Sequence, residues 1–193
     1  MGNHGTTSGS INTPAAGRFG RAGQFDGSGW IAVQDDPSLH ATSELTVAAW
    51  VYSERIEAGY WPGYVTKRVG YADQTAFSLL QGQEGYVTVD VGNESDRFRA
   101  ETPLSYSTWT HVAFVYNGGW TESERVRLFL DGKLDRVASE SESTLPASTA
   151  PLAVGNLPNG GNLFEGRLDE VAVWNRALRG AEIAAVAAGA LSP

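Results

Sequence analysis

Across 193 residues, 14 Lys plus Arg stand against 22 Asp plus Glu, a formal charge of −8; this argues against a nucleic-acid surface, which needs clustered cations to displace counterions from phosphates. Cysteine is absent, so there is no disulfide framework, no thiolate metal site and no cysteine nucleophile. No apolar run approaches the ~20 residues that cross a bilayer as a helix, so no membrane insertion is expected, while the length fits one domain with a sizeable core.

The opening MGNHGTTSGS has neither the charged nor the apolar region of a secretory signal. Two readings follow, an intracellular protein or a domain cut from a longer exported chain, and the second is the expectation adopted. From GWIAV (Gly29–Val33) onward, period-two segments recur between Gly, Pro, Asn and Ser. LTVAAWVY sets Leu45, Val47, Ala49 and Val51 on one face and Thr46, Ala48, Trp50 and Tyr52 on the other. FSLL (Phe77–Leu80) and YVTVDV (Tyr86–Val91) read as neighbours joined by a turn around Gly82 and Gly85, and WTHVAFVY (Trp109–Tyr116) as a further strand. In RVRLFLDGKLDRVA, Asp131-Gly132 sits between two alternating runs, a pair that readily adopts the positive φ of a tight hairpin turn. SESESTLPASTA (Ser139–Ala150) reads as an exposed loop.

The last strand, Arg167–Trp174, places Leu168, Glu170, Ala172 and Trp174 on one face and Asp169, Val171 and Val173 on the other. An acid among valines must be paired, protonated, hydrogen-bonded or bound to a cation. Asn175 is expected to stop the strand and cap the turn after it, and Ala181–Ala188 to form a short helix ending before Gly189. With 6 Trp, 7 Tyr and 7 Phe available to fill between sheets, the pattern predicts an all-β antiparallel sandwich with one short C-terminal helix.

Five motifs in order carry a resemblance: GRFGRAGQFDGSGWIAV with Phe25-Asp26-Gly27 at its centre, LTVAAWVY, WTHVAFVY, RLFLDGKL, and LDEVAVWNRAL with the later AEI. Together they resemble the laminin G-like, concanavalin A-like lectin/glucanase domains, in a subgroup also similar to pentraxins. The resemblance implies a jelly roll of two antiparallel sheets forming one domain over residues 1–193. It confers no function, since this fold hosts lectins, adhesion domains, glycosidases and lyases.

Catalysis by two carboxylates needs them spaced to flank a sugar ring. Related retaining glucanases carry Glu-x-Asp-x-x-Glu; Glu94-Ser95-Asp96 begins that pattern, but the second Glu is missing and VGNESDRF reads as a loop. Glu122 and Glu124 read as a solvated loop, and His111, sharing a face with Ala113 and Val115, as a framework histidine. His4 and His40 are scattered, and Asn117-Gly118-Gly119 lacks the helix and Lys of a phosphate loop. The chain is therefore expected not to be an enzyme.

The resemblance implies one structural calcium, with Asp169 as the carboxylate and groups near Asn3, Asp26 and Gly27 as partners; backbone or Arg hydrogen bonds to Asp169 are the equal alternative. The paired-calcium site of pentraxins would fall near Asp73-Gln74 and within VGNLPNGGN (Val154–Asn162), which carries no acid, so that site is not expected. Saccharides are held by aromatic faces and by amides or carboxylates. EAGYWPGY offers Tyr60, Trp61 and Tyr64; NGGWTESE offers Trp120; GNLPNGGN offers Asn156, Asn159 and Asn162. The alternative is that Trp61 and Trp120 cover the sandwich ends, while Trp50, Trp109 and Trp174 serve the core. The leading expectation is a lectin-like, non-catalytic carbohydrate-binding domain of an extracellular or cell-surface multidomain protein, bacterial in origin, with a glycan as partner. A protein-binding adhesion or spacer domain, meeting a protein partner or other domains of the same chain, stands second, and a divergent glycosidase or lyase third.

Overall fold

A computed structural model describes residues 3–69, 76–158 and 162–191, without the side chains of Pro14 and residues 93–96. In chain order the strands are β1 (Gly5–Ser8), β2 (Ile11–Ala16), β3 (Arg21–Asp26), β4 (Trp30–Val33), β5 (Glu44–Ser53), β6 (Gly63–Lys67) and β7 (Phe77–Gln81). There follow β8 (Tyr86–Val91), β9 (Asn93–Pro103), β10 (Trp109–Asn117), β11 (Val126–Leu130), β12 (Lys133–Ala138), β13 (Leu152–Val154) and β14 (Glu165–Trp174), then helix α1 (Gly180–Ala187). Sheet I has the order β1-β4-β13-β6-β7-β8-β9 and sheet II the order β12-β11-β10-β5-β14-β3-β2. Every strand pairing is antiparallel. This is the all-β antiparallel sandwich with one short C-terminal helix that the alternation predicts.

The alternation does its work between the sheets. Leu45, Val47, Ala49 and Val51 of β5 and Val112, Phe114 and Tyr116 of β10 share one buried cluster with Phe77, Leu79, Val87, Val89 and Val91 of sheet I. Truncating a side chain as enclosed as Phe114 to Ala costs about 3–5 kcal/mol in lost transfer energy and cavity. The opposite residues of β5 and β10, Ala48, Ala113 and Val115, face outward and meet Phe129, Ala172 and Trp174, with Leu178, Ile183 and Val186 packed over them. Helix α1 therefore covers part of the outer face of sheet II. Its first turn is closed by Glu182, whose Oε2 accepts from Arg179 N at 2.8 Å; Asn175, expected to cap, instead donates from Nδ2 to Ser38 O at 2.6 Å.

Three expectations are corrected. First, Asn93–Phe98 is not a loop but the start of β9, in register with β8 through Asp90↔Arg97; the turn-formers there mark the tight reversal at Gly92 (φ 73°) rather than an open excursion. Second, β6 begins at Gly63, inside the segment read as an aromatic loop. Third, Asp169 does not point with Val171 and Val173. A bulge lies between Asp169 and Ala172, with Glu170 at φ 49°. One extra residue reverses the alternation beyond it. Leu168, Val171 and Val173 consequently face the inner core, while Asp169 stands opposite Trp50 and Ala172 opposite Ala48 on the outer side.

Candidate functional site

Two of the three loops expected to carry ligand contacts lock together. Trp61 N donates to Asn162 Oδ1 at 2.8 Å and Asn162 N donates to Trp61 O at 3.3 Å. Tyr60 OH donates to Leu163 O at 2.7 Å, Asn156 bridges to Leu163, and Thr66 Oγ1 donates to Asn156 O at 3.0 Å. Most of the predicted ligand residues are thus spent on building the site. Tyr60 is a buried tether, its ring also stacked under the Arg55 guanidinium at 4.4 Å. Tyr64 is 0 % exposed, sits edge-on to Phe164 and donates to Gln81 Oε1 at 3.2 Å, so it offers no surface to a ligand. Burial pushes both phenols well above the usual tyrosine range. Asn159 lies outside the described residues, as do Asp73 and Gln74.

What these clamps hold up is Trp61, half-buried on the outer face of sheet I. It reaches that face because residue 82 is glycine: a Cβ there would lie 3.2 Å from Trp61 Cζ3 and collide with Thr88 Oγ1. Alongside runs a polar row in register across β6, β7, β8 and β9, namely Thr66, Ser78, Asp90 and Arg97. Arg97 grips Asp90 through two bonds, Nε to Oδ1 at 2.7 Å and Nη2 to Oδ2 at 3.1 Å, and its guanidinium lies 5.2 Å from the Trp61 ring centre. Arg68, 1 % exposed, approaches Asp90 Oδ2 at 3.5 Å from the other side. Thr66, Ser78 and Asp90 are fully buried, so Trp61 and Arg97 are the members of this group that reach the surface, an aromatic face beside a guanidinium that a polyhydroxyl ligand can use. Sequence reading missed Asp90, Arg97 and Arg68; the alternation in YVTVDV already set Asp90 opposite Val87, Val89 and Val91, and that was the available signal.

Trp120 is elsewhere. It lies on the outer side of sheet II under the Arg127 guanidinium, 3.9 Å from the ring centre, in a recess of about 420 Å³ shared with Glu44, Asn117 and Phe129. A further groove of about 650 Å³ opens beside α1 around Trp50 and Trp109. The expectation that Trp50, Trp109 and Trp174 serve core packing holds for Trp50 and Trp174, both buried, and is corrected for Trp109. The cluster between the sheets contains no tryptophan; Trp174 packs outside sheet II and Trp109 is half-buried at the groove.

The calcium expectation does not fit the donors present. Asp169 Oδ2 accepts from Phe19 N at 2.9 Å and Oδ1 from Glu170 N at 2.9 Å, so backbone amides already serve both oxygens. Gly17 permits this closure, since a Cβ there would stand 2.5 Å from Oδ2. Asp26 is aligned with Glu165, four residues along β14 from Asp169 or about 13 Å at strand rise, whereas ligands of one calcium lie within ~5 Å of each other. Asp26 instead accepts from Ser28 N and Oγ, which hold its carboxyl below the ordinary range, and Asn3 donates to Ser38 Oγ at 3.1 Å. Among the described residues no group of three His, Asp or Glu side chains could hold a metal ion. For catalysis, Glu122 and Glu124 lie exposed in a short 3-10 turn, and the side chains of Glu94 and Asp96 lie outside the described residues.

Two seven-stranded antiparallel sheets packed face to face define the class of concanavalin A-like jelly rolls. The family model of the concanavalin A-like lectin/glucanases superfamily matches residues 25–184, and the chain belongs to that family. Among solved structures it is similar to domain 4 of AbnA, an extracellular arabinanase from Geobacillus stearothermophilus, solved in complex with arabinotriose. That likeness has 20% identity and TM-score 0.74, covering 95% of this chain and 87% of that one. It is also similar to the binding domain of Paraclostridial Mosquitocidal Protein 1 at 16% identity and TM-score 0.71, covering 96% of this chain and 48% of that one. The binding domain of botulinum neurotoxin serotype C1 follows at 11% identity and TM-score 0.69, covering 97% and 47%. At these identities the likeness shows the fold. No curated protein matches the chain significantly.

Proposed function

We propose that the chain is a non-catalytic carbohydrate-binding domain of an extracellular multidomain protein, engaging a glycan at Trp61 on the outer face of sheet I. One observation carries this reading: two distant loops are cross-linked by Tyr60, Asn156 and Asn162 to hold a half-buried indole beside a paired Asp90–Arg97 row. The ring supplies a face for sugar C–H groups, and the Asn162 amide and the Arg97 guanidinium read hydroxyls. The similar arabinanase domain, solved with arabinotriose, makes that trisaccharide the first probe. In calorimetric titration, Trp61→Ala should weaken arabinotriose binding about tenfold or more at unchanged melting temperature. Equal affinity in wild type and Trp61→Ala would remove this site.

A second reading, a protein partner at the sandwich edge, is favoured by β12, an edge strand whose Leu134 and Val137 are 54% and 42% exposed. A partner seated there should be lost on Leu134→Lys and unaffected by Trp61→Ala.

A further inference from the structure

The groove of about 650 Å³ beside α1 is taken up by neither the Trp61 site nor the calcium expectation. Its size lies in the range of small-ligand pockets, about 300–1,000 Å³. At its floor Trp50 is 5% exposed and its Nε1 has no hydrogen-bond partner among the described residues. Edge-on to it at 5.6 Å is His111, 1% exposed, with both ring nitrogens likewise unpartnered. Buried polar atoms are nearly always satisfied, so the orphaned Nε1 of Trp50, which lines the groove, marks where a polar ligand atom belongs; the two on His111 lie behind that ring. The exposed Arg18 covers this floor, its guanidinium 4.7 Å from the Trp50 ring centre. Trp109, tilted against Tyr52 at 5.5 Å, forms a half-buried aromatic wall. Facing it are the low alanine side of α1 and the exposed carboxylate of Asp131, which accepts from His111 N at 3.0 Å. One guanidinium and one carboxylate in the same groove balance each other, which suits an uncharged polyhydroxyl ligand better than an acidic or basic one.

We infer that this groove is a second saccharide site: a neutral sugar ring lies on Trp109, donates a hydroxyl to Asp131 and accepts from Trp50 Nε1 as Arg18 swings aside. It sits on the sheet opposite the one carrying Trp61, so the domain is bivalent and can bridge two glycan chains. Only the bridging rests on the Trp61 reading; the groove stands on its own orphaned donor.

The test follows the six indole N–H signals, assigned with Trp→Phe variants, in proton–nitrogen spectra of the whole chain. Arabinotriose, cellotriose, maltotriose and chitotriose are each titrated into the millimolar range. The expected result is a saturable shift of Trp50 and Trp109 with at least one probe, persisting in Trp61→Ala and weakened about tenfold by Asp131→Asn, which keeps the left-handed turn. Trp50 and Trp109 signals unmoved by all four probes, or shifts that vanish in Trp61→Ala, would overturn the inference. Movement of Trp61 alone leaves the first site standing and removes the second; movement of Trp50 and Trp109 without Trp61 does the reverse.

Discussion

The outer faces of the two sheets come from the same alternation yet handle buried polarity in opposite ways. On sheet I, Asp90 is 0 % exposed and lies between two guanidiniums, gripped by Arg97 and approached by Arg68. On sheet II, Trp50 and His111 are just as enclosed but their nitrogens have no partner among the described residues. The difference follows the cost of burial. An unpaired buried charge is worth several kcal/mol against folding and is not tolerated, whereas a neutral donor left unmet costs about 1–3 kcal/mol and survives where a ligand can meet it. The buried charge of one face is paired by its own side chains, while the buried neutral nitrogens of the other are not met by any described residue.

The largest break in that contrast is Asp90→Ala, which removes the carboxylate from between Arg68 and Arg97. It should cost about 3–5 kcal/mol in urea unfolding; a loss below ~1 kcal/mol would mean that the sheet I row is solvated and weakly coupled. Next comes pH. Burial holds the His111 pKa down at about 4 against an ordinary 6.5, with the Asp131 carboxylate opposing. Trp50 and the Arg18 cation above it face the same ring. Between those two values the unfolded chain takes up a proton that the folded chain refuses. Stability should therefore fall as pH drops from about 6.5 toward 4, by up to about 1.4 kcal/mol per unit. The part due to this ring is the difference from His111→Phe, which should show a shallower slope over that window.

At neutral pH, His111→Phe itself should be neutral or stabilising by up to ~1 kcal/mol, because it deletes two orphans and keeps the ring contact with Trp50. A loss above 2 kcal/mol would show that water or another group meets those nitrogens. The smallest expected effect is chelation: with backbone amides on both Asp169 oxygens, excess chelator should leave the unfolding midpoint unchanged within ~1 °C. A clear drop would show a bound cation and return Asp169 to the groups that could hold it.

Much of this was legible in advance. The strand at 45–52 and its partner at 109–116 present the faces their alternation predicts, and the Asp131-Gly132 turn has the positive φ values, 49° and 75°, expected of it. His111 lies with Ala113 and Val115 on the outward face, as the pattern states. The candidate site was legible only in part. Trp61 and Asn162 come together as a pair 101 positions apart, while Trp120 shares neither their loop nor their sheet. Pro62 and Gly63 before it give Tyr64 the signature of a loop aromatic, yet β6 begins at Gly63 and carries its ring inward.

The sequence by itself determined the elements whose signal is local: a period of two sets side-chain faces within a strand, and an Asp-Gly pair sets a turn without help from elsewhere. Tertiary structure alone decided what each outward face meets. A single left-handed residue, Glu170, turned Asp169 from the core side toward Trp50. Pairing across distant strands brought Asp90 to Arg97, and the space between the sheets, about 10 Å deep, closed over phenylalanine and aliphatic side chains while the tryptophans stayed outside. Register, bulges and loop docking depend on contacts far along the chain, so no local pattern records which indole is left with a face open to a ligand.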